Sequence, residues 1–207
     1  MAVLIDPNQH DVFLLRQKWT MVINRYFFSL PDAQGNEGQI FSFVEQKRFK
    51  FKEDIRFFTD ESKTTQLLGI KARQRFDPAA RYDITGPNGE KIGEIQKAFA
   101  KSLLRSTYLL FDAQGNEVCE ATEKSLGIAL FRRLVGFIPY VDNVADWLPI
   151  PYHFVFRRGD QLLATNSRKA WKLNDHYTID CTPDKQHVLD RRLVLAAAVG
   201  MDALQAR

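Results

Sequence analysis

Between Leu193 and Val199 every residue is apolar: Leu193, Val194, Leu195, Ala196, Ala197, Ala198 and Val199. A helix with no polar face has to be enclosed on all sides. Lipid is not the enclosure. The run is shorter than the roughly 18 apolar residues a spanning helix needs, and Arg191, Arg192 and Asp202 flank it closely. The wrapping therefore has to come from the rest of the chain. The helical segment reads as 188–205, with Asp190 as an N-terminal cap or dipole partner. Its alanines let other backbone approach the axis. Leu193, Val194, Leu195, Val199, Met201 and Leu204 would each contribute roughly 1.5–3 kcal/mol on burial.

The sequence ahead of this rod reads as a train of β-hairpins. A Gln-basic pair recurs as Gln17-Lys18, Gln46-Lys47, Gln74-Arg75 and Gln96-Lys97. Each pair is followed by an arginine near an aromatic: Arg25-Tyr26, Arg56-Phe57, Arg81-Tyr82, and Arg105 with Tyr108. Turn clusters come next, at Asp32-Ala33-Gln34-Gly35, Asp60-Glu61-Ser62-Lys63, Gly86-Pro87-Asn88-Gly89 and Asp112-Ala113-Gln114-Gly115. These supply the side-chain bonds and positive φ that tight reversals need. A further hairpin flanks Arg157-Arg158-Gly159-Asp160, and a short pair surrounds His176-Tyr177-Thr178-Ile179. Two strands per hairpin give about ten to twelve strands. The 16 Phe suit strands and a thick core. A propeller or solenoid would need more units at more even spacing. A barrel of about eight strands is filled by its own side chains, whereas one of about eleven or twelve has room for a helix. The expected fold is mainly β: one domain over 1–207, a closed antiparallel barrel around a buried C-terminal α-helix. Residues 126–150 interrupt the β pattern as a helical insertion, punctuated by Pro139, Pro149 and nearby Pro151.

Little in the chain points to catalysis. His10, His153, His176 and His187 are scattered without metal-ligand spacing. No GxSxG, P-loop, GxGxxG or HExxH pattern occurs. Asp175-His176 lies near Cys181 in sequence, but adjacent strand residues point to opposite faces. Cys119 reads as a small core residue. Two cysteines without CxxC spacing suggest neither a disulfide framework nor a zinc site. No catalytic residue, metal or cofactor is expected. Asp190, Arg191 and Arg192 read as a structural ion-pair cluster at the barrel end. The first residues lack a signal-peptide pattern, which makes a reducing cytoplasm the expected compartment. The net charge of +4 is modest and no nucleic-acid-binding motif occurs, so nucleic acid is disfavoured as a partner.

Several motifs in order carry a family resemblance. Gln46-Lys47-Arg48-Phe49, Lys52-Glu53-Asp54-Ile55-Arg56-Phe57 and Thr59-Asp60-Glu61-Ser62-Lys63 form one stretch of it. Ile70-Lys71-Ala72-Arg73-Gln74, Lys91-Ile92-Gly93 and Leu189-Asp190-Arg191-Arg192-Leu193 continue it. Over roughly 12–205 the chain resembles the bacterial relatives of the LURP-one and phospholipid-scramblase-like proteins. The resemblance implies the tubby C-terminal fold, a barrel of about twelve strands around a C-terminal helix. Tubby binds phosphoinositides, and scramblases are associated with lipid movement and calcium. No acidic loop here resembles a calcium site.

The strongest candidate surface is a basic alternation. In Arg48-Phe49-Lys50-Phe51-Lys52 the cations share one face and the phenylalanines the other, and Lys71, Arg73 and Arg75 repeat the period of two. The turn near 60–63 makes the two runs partners. Matching their apolar sides requires opposed residue numbers with an odd total, such as 52 with 71 and 50 with 73. Arg48, Lys50, Lys52, Lys71, Arg73 and Arg75 then lie side by side. Like charges opposed on a sheet are destabilising, which suggests a use such as binding an anionic lipid headgroup or phosphate. The alternative is a solvated face relieved by Glu53, Asp54 or other nearby acids. The leading expectation is a non-enzymatic domain for an anionic ligand, a phospholipid or phosphoinositide headgroup, attached peripherally at a membrane surface. The competing one is an interaction or scaffold domain that docks a protein partner, or a second copy, through Phe131, Leu134, Phe137 and Trp147 of the insertion. More often such an insertion plugs a barrel mouth.

Overall fold

A computed structural model describes residues 5–19, 23–47, 54–73, 81–98, 106–124, 153–168 and 175–205. Twelve strands follow a short 3-10 turn at Pro7–Gln9. They are β1 (Val12–Trp19), β2 (Ile23–Pro31), β3 (Glu37–Lys47), β4 (Asp54–Phe58), β5 (Gln66–Ala72) and β6 (Arg81–Thr85). The second half comprises β7 (Lys91–Lys97), β8 (Thr107–Asp112), β9 (Glu117–Glu123), β10 (Phe154–Arg158), β11 (Gln161–Arg168) and β12 (Asp175–Asp180). Each strand pairs with its sequence neighbour, and β1 pairs with β12 to close the barrel. The whole ladder is antiparallel. One helix follows, α1 (Arg191–Gln205).

The tight turns fold as their residues dictate. The hexapeptide Asp-Ala-Gln-Gly-Asn-Glu occurs at 32–37 and again at 112–117, and it adopts one geometry both times. Asp32 Oδ1 accepts the N–H groups of Gln34 at 2.9 Å and Asn36 at 2.8 Å. Asp112 Oδ1 accepts those of Gln114 at 3.0 Å and Asn116 at 2.8 Å. Gly35 and Gly115 take φ of 76° and 88°, which a residue with a Cβ adopts only under strain.

The apolar rod is enclosed. Leu193 through Val199 are each 5% exposed or less, and Met201 is equally buried. They pack into inward rows from the strands, including Phe13, Leu15, Tyr26, Phe28, Ile55, Phe57, Ile70, Ile84, Ile95 and Leu110. Gly93 on β7 makes room for the start of the helix: a Cβ there would lie 2.3 Å from the Phe111 carbonyl oxygen and 3.3 Å from Leu193 Cδ1.

The helix begins at Arg191 rather than at 188. The Asp184 carboxylate takes the N–H groups of Val188 and Leu189, both at 2.9 Å, and holds these two residues outside the helix. Asp190 caps the first turn, accepting the Arg192 N–H at 2.9 Å. The expected Asp190–Arg191–Arg192 cluster divides in two. Arg192 pairs with Asp190, while Arg191 turns inward. With no exposed surface, it donates to Asp184 Oδ2 and Asp11 Oδ1 at 2.7 Å each. Asn8 Oδ1 accepts its backbone N–H at 2.8 Å, tying the start of the barrel to the start of the helix.

Candidate anion-binding face

Of the six cations expected on the basic face, the structure describes Lys71 and Arg73; Arg48, Lys50, Lys52 and Arg75 lie outside the described residues. Phe131, Leu134, Phe137, Trp147 and the whole 126–150 insertion also lie outside them. The β4–β5 register has the odd totals that the apolar matching demands, with Ile55 opposite Ile70 and Phe57 opposite Leu68. It is displaced by two residues from the expected pairing. Lys71 faces Asp54, not Lys52. The reversal closes one step later than assumed, with Lys63 N–H on the Asp60 carbonyl and Thr59 N–H on that of Thr65. A bulge between Phe57 and Phe58 completes the offset. A shift by two keeps every side chain on its own face, so apolar matching alone does not detect it.

The outer surface of β4–β7 is consequently a mixed ionic field. Lys71 is exposed and lies between Asp54 on β4 and Asp83 on β6. Each acid has another partner: Arg56 Nη2 lies 2.6 Å from Asp54 Oδ2, and Arg73 Nη2 lies 2.6 Å from Asp83 Oδ1. Lys71 has no ion-pair partner among the described residues. Arg73 also reaches Glu94 Oε1 at 2.7 Å, Lys91 Nζ donates to the same oxygen, and Arg81 Nη1 stands 3.8 Å from Glu94 Oε2. Glu94 is only 5% exposed although it points outward. Burial favours its neutral acid, yet bonds from Lys91 and Arg73 hold its carboxyl below the usual range. Asp83 pushes the Arg73 guanidinium further up, with help from Glu94. Five cations (Arg56, Lys71, Arg73, Arg81 and Lys91) thus share a surface with three carboxylates.

Sequence reading missed Arg81, Asp83, Lys91 and Glu94 as members of this surface. Their signal was present in the strand alternation: Arg81 and Asp83 flank inward Tyr82, and Glu94 lies between Gly93 and inward Ile95.

The barrel interior is filled among the described residues. Leu15, Gln17, Tyr26, Phe154, Asn166, Tyr177 and Ala198 line a void of about 10 Å³, room for no more than about one water. Cys119 and Cys181 are free and buried. Burial pushes both thiols up, Cys181 to about 12, so neither is a ready nucleophile at neutral pH. Among the described residues no group of three His, Cys, Asp or Glu side chains could hold a metal ion. None of the described helices is long and apolar enough to cross a membrane.

A family model described as LURP-one-related matches residues 40–202. The chain belongs to the LURP-one-related family. The match leaves out β1 and β2; β1 is the strand through which this LURP-one-related barrel closes on β12. An X-ray structure of an Arabidopsis thaliana protein aligns with it at a TM-score of 0.50 and 11% identity, covering 99% of each chain. That likeness carries the fold alone. No curated protein matches the chain. The family match supports a binding domain in general terms.

Proposed function

We propose that this LURP-one-related chain binds an anionic ligand, a phospholipid or phosphoinositide headgroup at a membrane surface, on the outer face of β4–β7. The observation that carries the reading is Lys71, an exposed cation without an ion-pair partner among the described residues. It is surrounded by Arg56, Arg73, Arg81 and Lys91, and these outnumber the acids they meet. Arg73 and Arg81 supply planar guanidinium donors, which match phosphate oxygens two at a time. Lys71 supplies a point charge. Association with the membrane is peripheral in this reading and driven by charge.

Vesicle flotation tests it. Phosphatidylcholine vesicles carrying phosphatidylserine or a phosphoinositide should float the chain, and pure phosphatidylcholine vesicles should not. Binding should weaken as salt rises, because exposed charges are screened over about 10 Å at 0.1 M ionic strength. A juxtamembrane cation contributes about 1 kcal/mol, so Lys71→Glu, a change of two charges, should lower acidic-vesicle affinity by roughly tenfold or more. A parallel titration with inorganic phosphate separates a headgroup from a free anion. Failure to float with any acidic vesicle at low salt removes the proposal.

A further inference from the structure

The β6–β7 hairpin reverses through Gly86-Pro87-Asn88-Gly89, the one place in the chain where glycine follows asparagine. Pro87 has the fixed φ that suits the first bend, and Gly89 takes a φ of 81°. Three hydrogen bonds close the turn. The Gly89 N–H donates to the Gly86 carbonyl at 3.1 Å, and the Gly86 N–H to the Glu90 carbonyl at 2.8 Å. Asn88 is held through its backbone N–H, which donates to Glu90 Oε2 at 3.0 Å, and not through its side-chain carboxamide. Asn88 and Gly89 are both exposed, and a Cβ on Gly89 would meet nothing within 4 Å.

An asparagine carboxamide stands one five-membered ring away from the backbone nitrogen of the next residue. Ring closure within a chain gains the large advantage of an intramolecular reaction. A side chain on the following residue crowds the attacking nitrogen and narrows its backbone conformations. Glycine removes both obstacles.

We propose that Asn88 is a self-modification site, converted to a carboxylate by attack of the Gly89 nitrogen, and that the new charge weakens the neighbouring anion-binding face. In the first step the Gly89 N–H loses its proton to solvent and its nitrogen bonds to Asn88 Cγ. The Cγ–Nδ2 bond breaks, and Nδ2 leaves as ammonia after taking up a proton. Water then opens the cyclic imide at either carbonyl carbon, the bond from that carbon to the Gly89 nitrogen breaks, and the nitrogen regains a proton. Opening at Cγ gives aspartate; opening at the main-chain carbon gives isoaspartate. The net reaction consumes one water and releases one ammonia, with no change of oxidation state. In the closed turn the attacking nitrogen is engaged with the Gly86 carbonyl, so the reaction proceeds from a locally opened turn.

Both products place a negative charge three residues before Lys91, the first residue of β7 and a cation of the outer face. A charge change of this kind acts by ordinary electrostatics and opposes an anionic surface. This consequence rests on the anion-binding reading of β4–β7, whereas the covalent chemistry does not.

The experiment incubates the full chain at mildly alkaline pH and reads each asparagine by peptide mass spectrometry, with an isoaspartate-specific assay alongside. Asn88 should convert ahead of Asn36 and Asn116, which occupy exposed turns but precede glutamate. Glu90→Ala, which removes one of the bonds closing the turn, should speed the conversion. The aged chain, and Asn88→Asp without ageing, should lose about fivefold in affinity for acidic vesicles at low salt, the effect of one charge at a membrane surface. High salt should erase that difference. Asn88→Gln, whose ring would need six members, should keep its initial affinity through the same incubation. An Asn88 that converts no faster than Asn36 overturns the modification. Conversion with unchanged flotation overturns its effect on binding. A fresh chain that floats with no acidic vesicle removes that effect together with the anion-binding reading, and the mass spectra then still decide the modification.

Discussion

Arg191 is a cation with no exposed surface, and it is compensated by two carboxylates, the nearby Asp184 and the distant Asp11. A lone buried charge costs several kcal/mol, and a well-bonded pair offsets that. Asp184 is the more informative partner for measurement. Burial would raise its pKa, but the N–H groups of Leu189 and Val188 and the Arg191 guanidinium together hold it below its ordinary 3.8. The unfolded chain therefore binds this proton more readily than the folded one. The stabilisation is complete above the unfolded value, near 4, and is lost as pH falls through the lowered folded value. Urea denaturation as a function of pH should show stability falling on acidification. Asp184→Asn should be less stable at neutral pH and have a flatter acid limb. An unchanged acid limb in that variant would assign the acid sensitivity to other groups.

The elements divide into those that local chemistry specifies and those that depend on distant partners. The rod from Leu193 to Val199 and the turns at 32–35, 60–63, 86–89 and 112–115 were legible because apolarity, Asx bonding and glycine are local properties. The β4–β5 register was legible only to within two residues, since alternation is blind to that step and the bulge at Phe57 and Phe58 has no composition signal. The burial of Arg191 was illegible because it depends on Asp11, far away along the chain. Glycine shows the same division between local and distant causes. A Cβ at Gly35 or Gly115 would meet nothing within 4 Å, so the cost of alanine is conformational alone, about 1–2 kcal/mol. Gly35→Ala and Gly115→Ala should therefore lose nearly equal stability in chemical denaturation, as identical turns require. Gly93→Ala is a packing lesion against the Phe111 carbonyl and the Leu193 side chain, about 1–3 kcal/mol. Its effect should depend on whether Leu193 is also reduced in size.

At the scale of the molecule the barrel and its helix are one cooperative unit. Leu193, Val194, Leu195, Val199 and Met201 contribute roughly 1.5–3 kcal/mol each by burial, which is the scale of the 5–15 kcal/mol net stability of a typical domain. A chain ending at Asp190 should not form the folded barrel. Circular dichroism and proteolysis should find it unfolded or aggregated, and a protease-resistant β domain would mean that the strands can close without the helix. The outer face of β4–β7 lies on a wall whose rigidity comes from the same interior. A surface variant such as Lys71→Glu should therefore alter binding while leaving the unfolding transition in place.

All twelve strands precede the rod that fills them, and this order fixes the timing of folding during synthesis. While the ribosome is still making the sheet, its inward phenylalanines and tyrosines have no core to pack against. The seam between β1 and β12 also has to wait until every strand from β2 to β12 has been made. Until the rod emerges, the inward faces of the strands lack their filling and expose apolar surface.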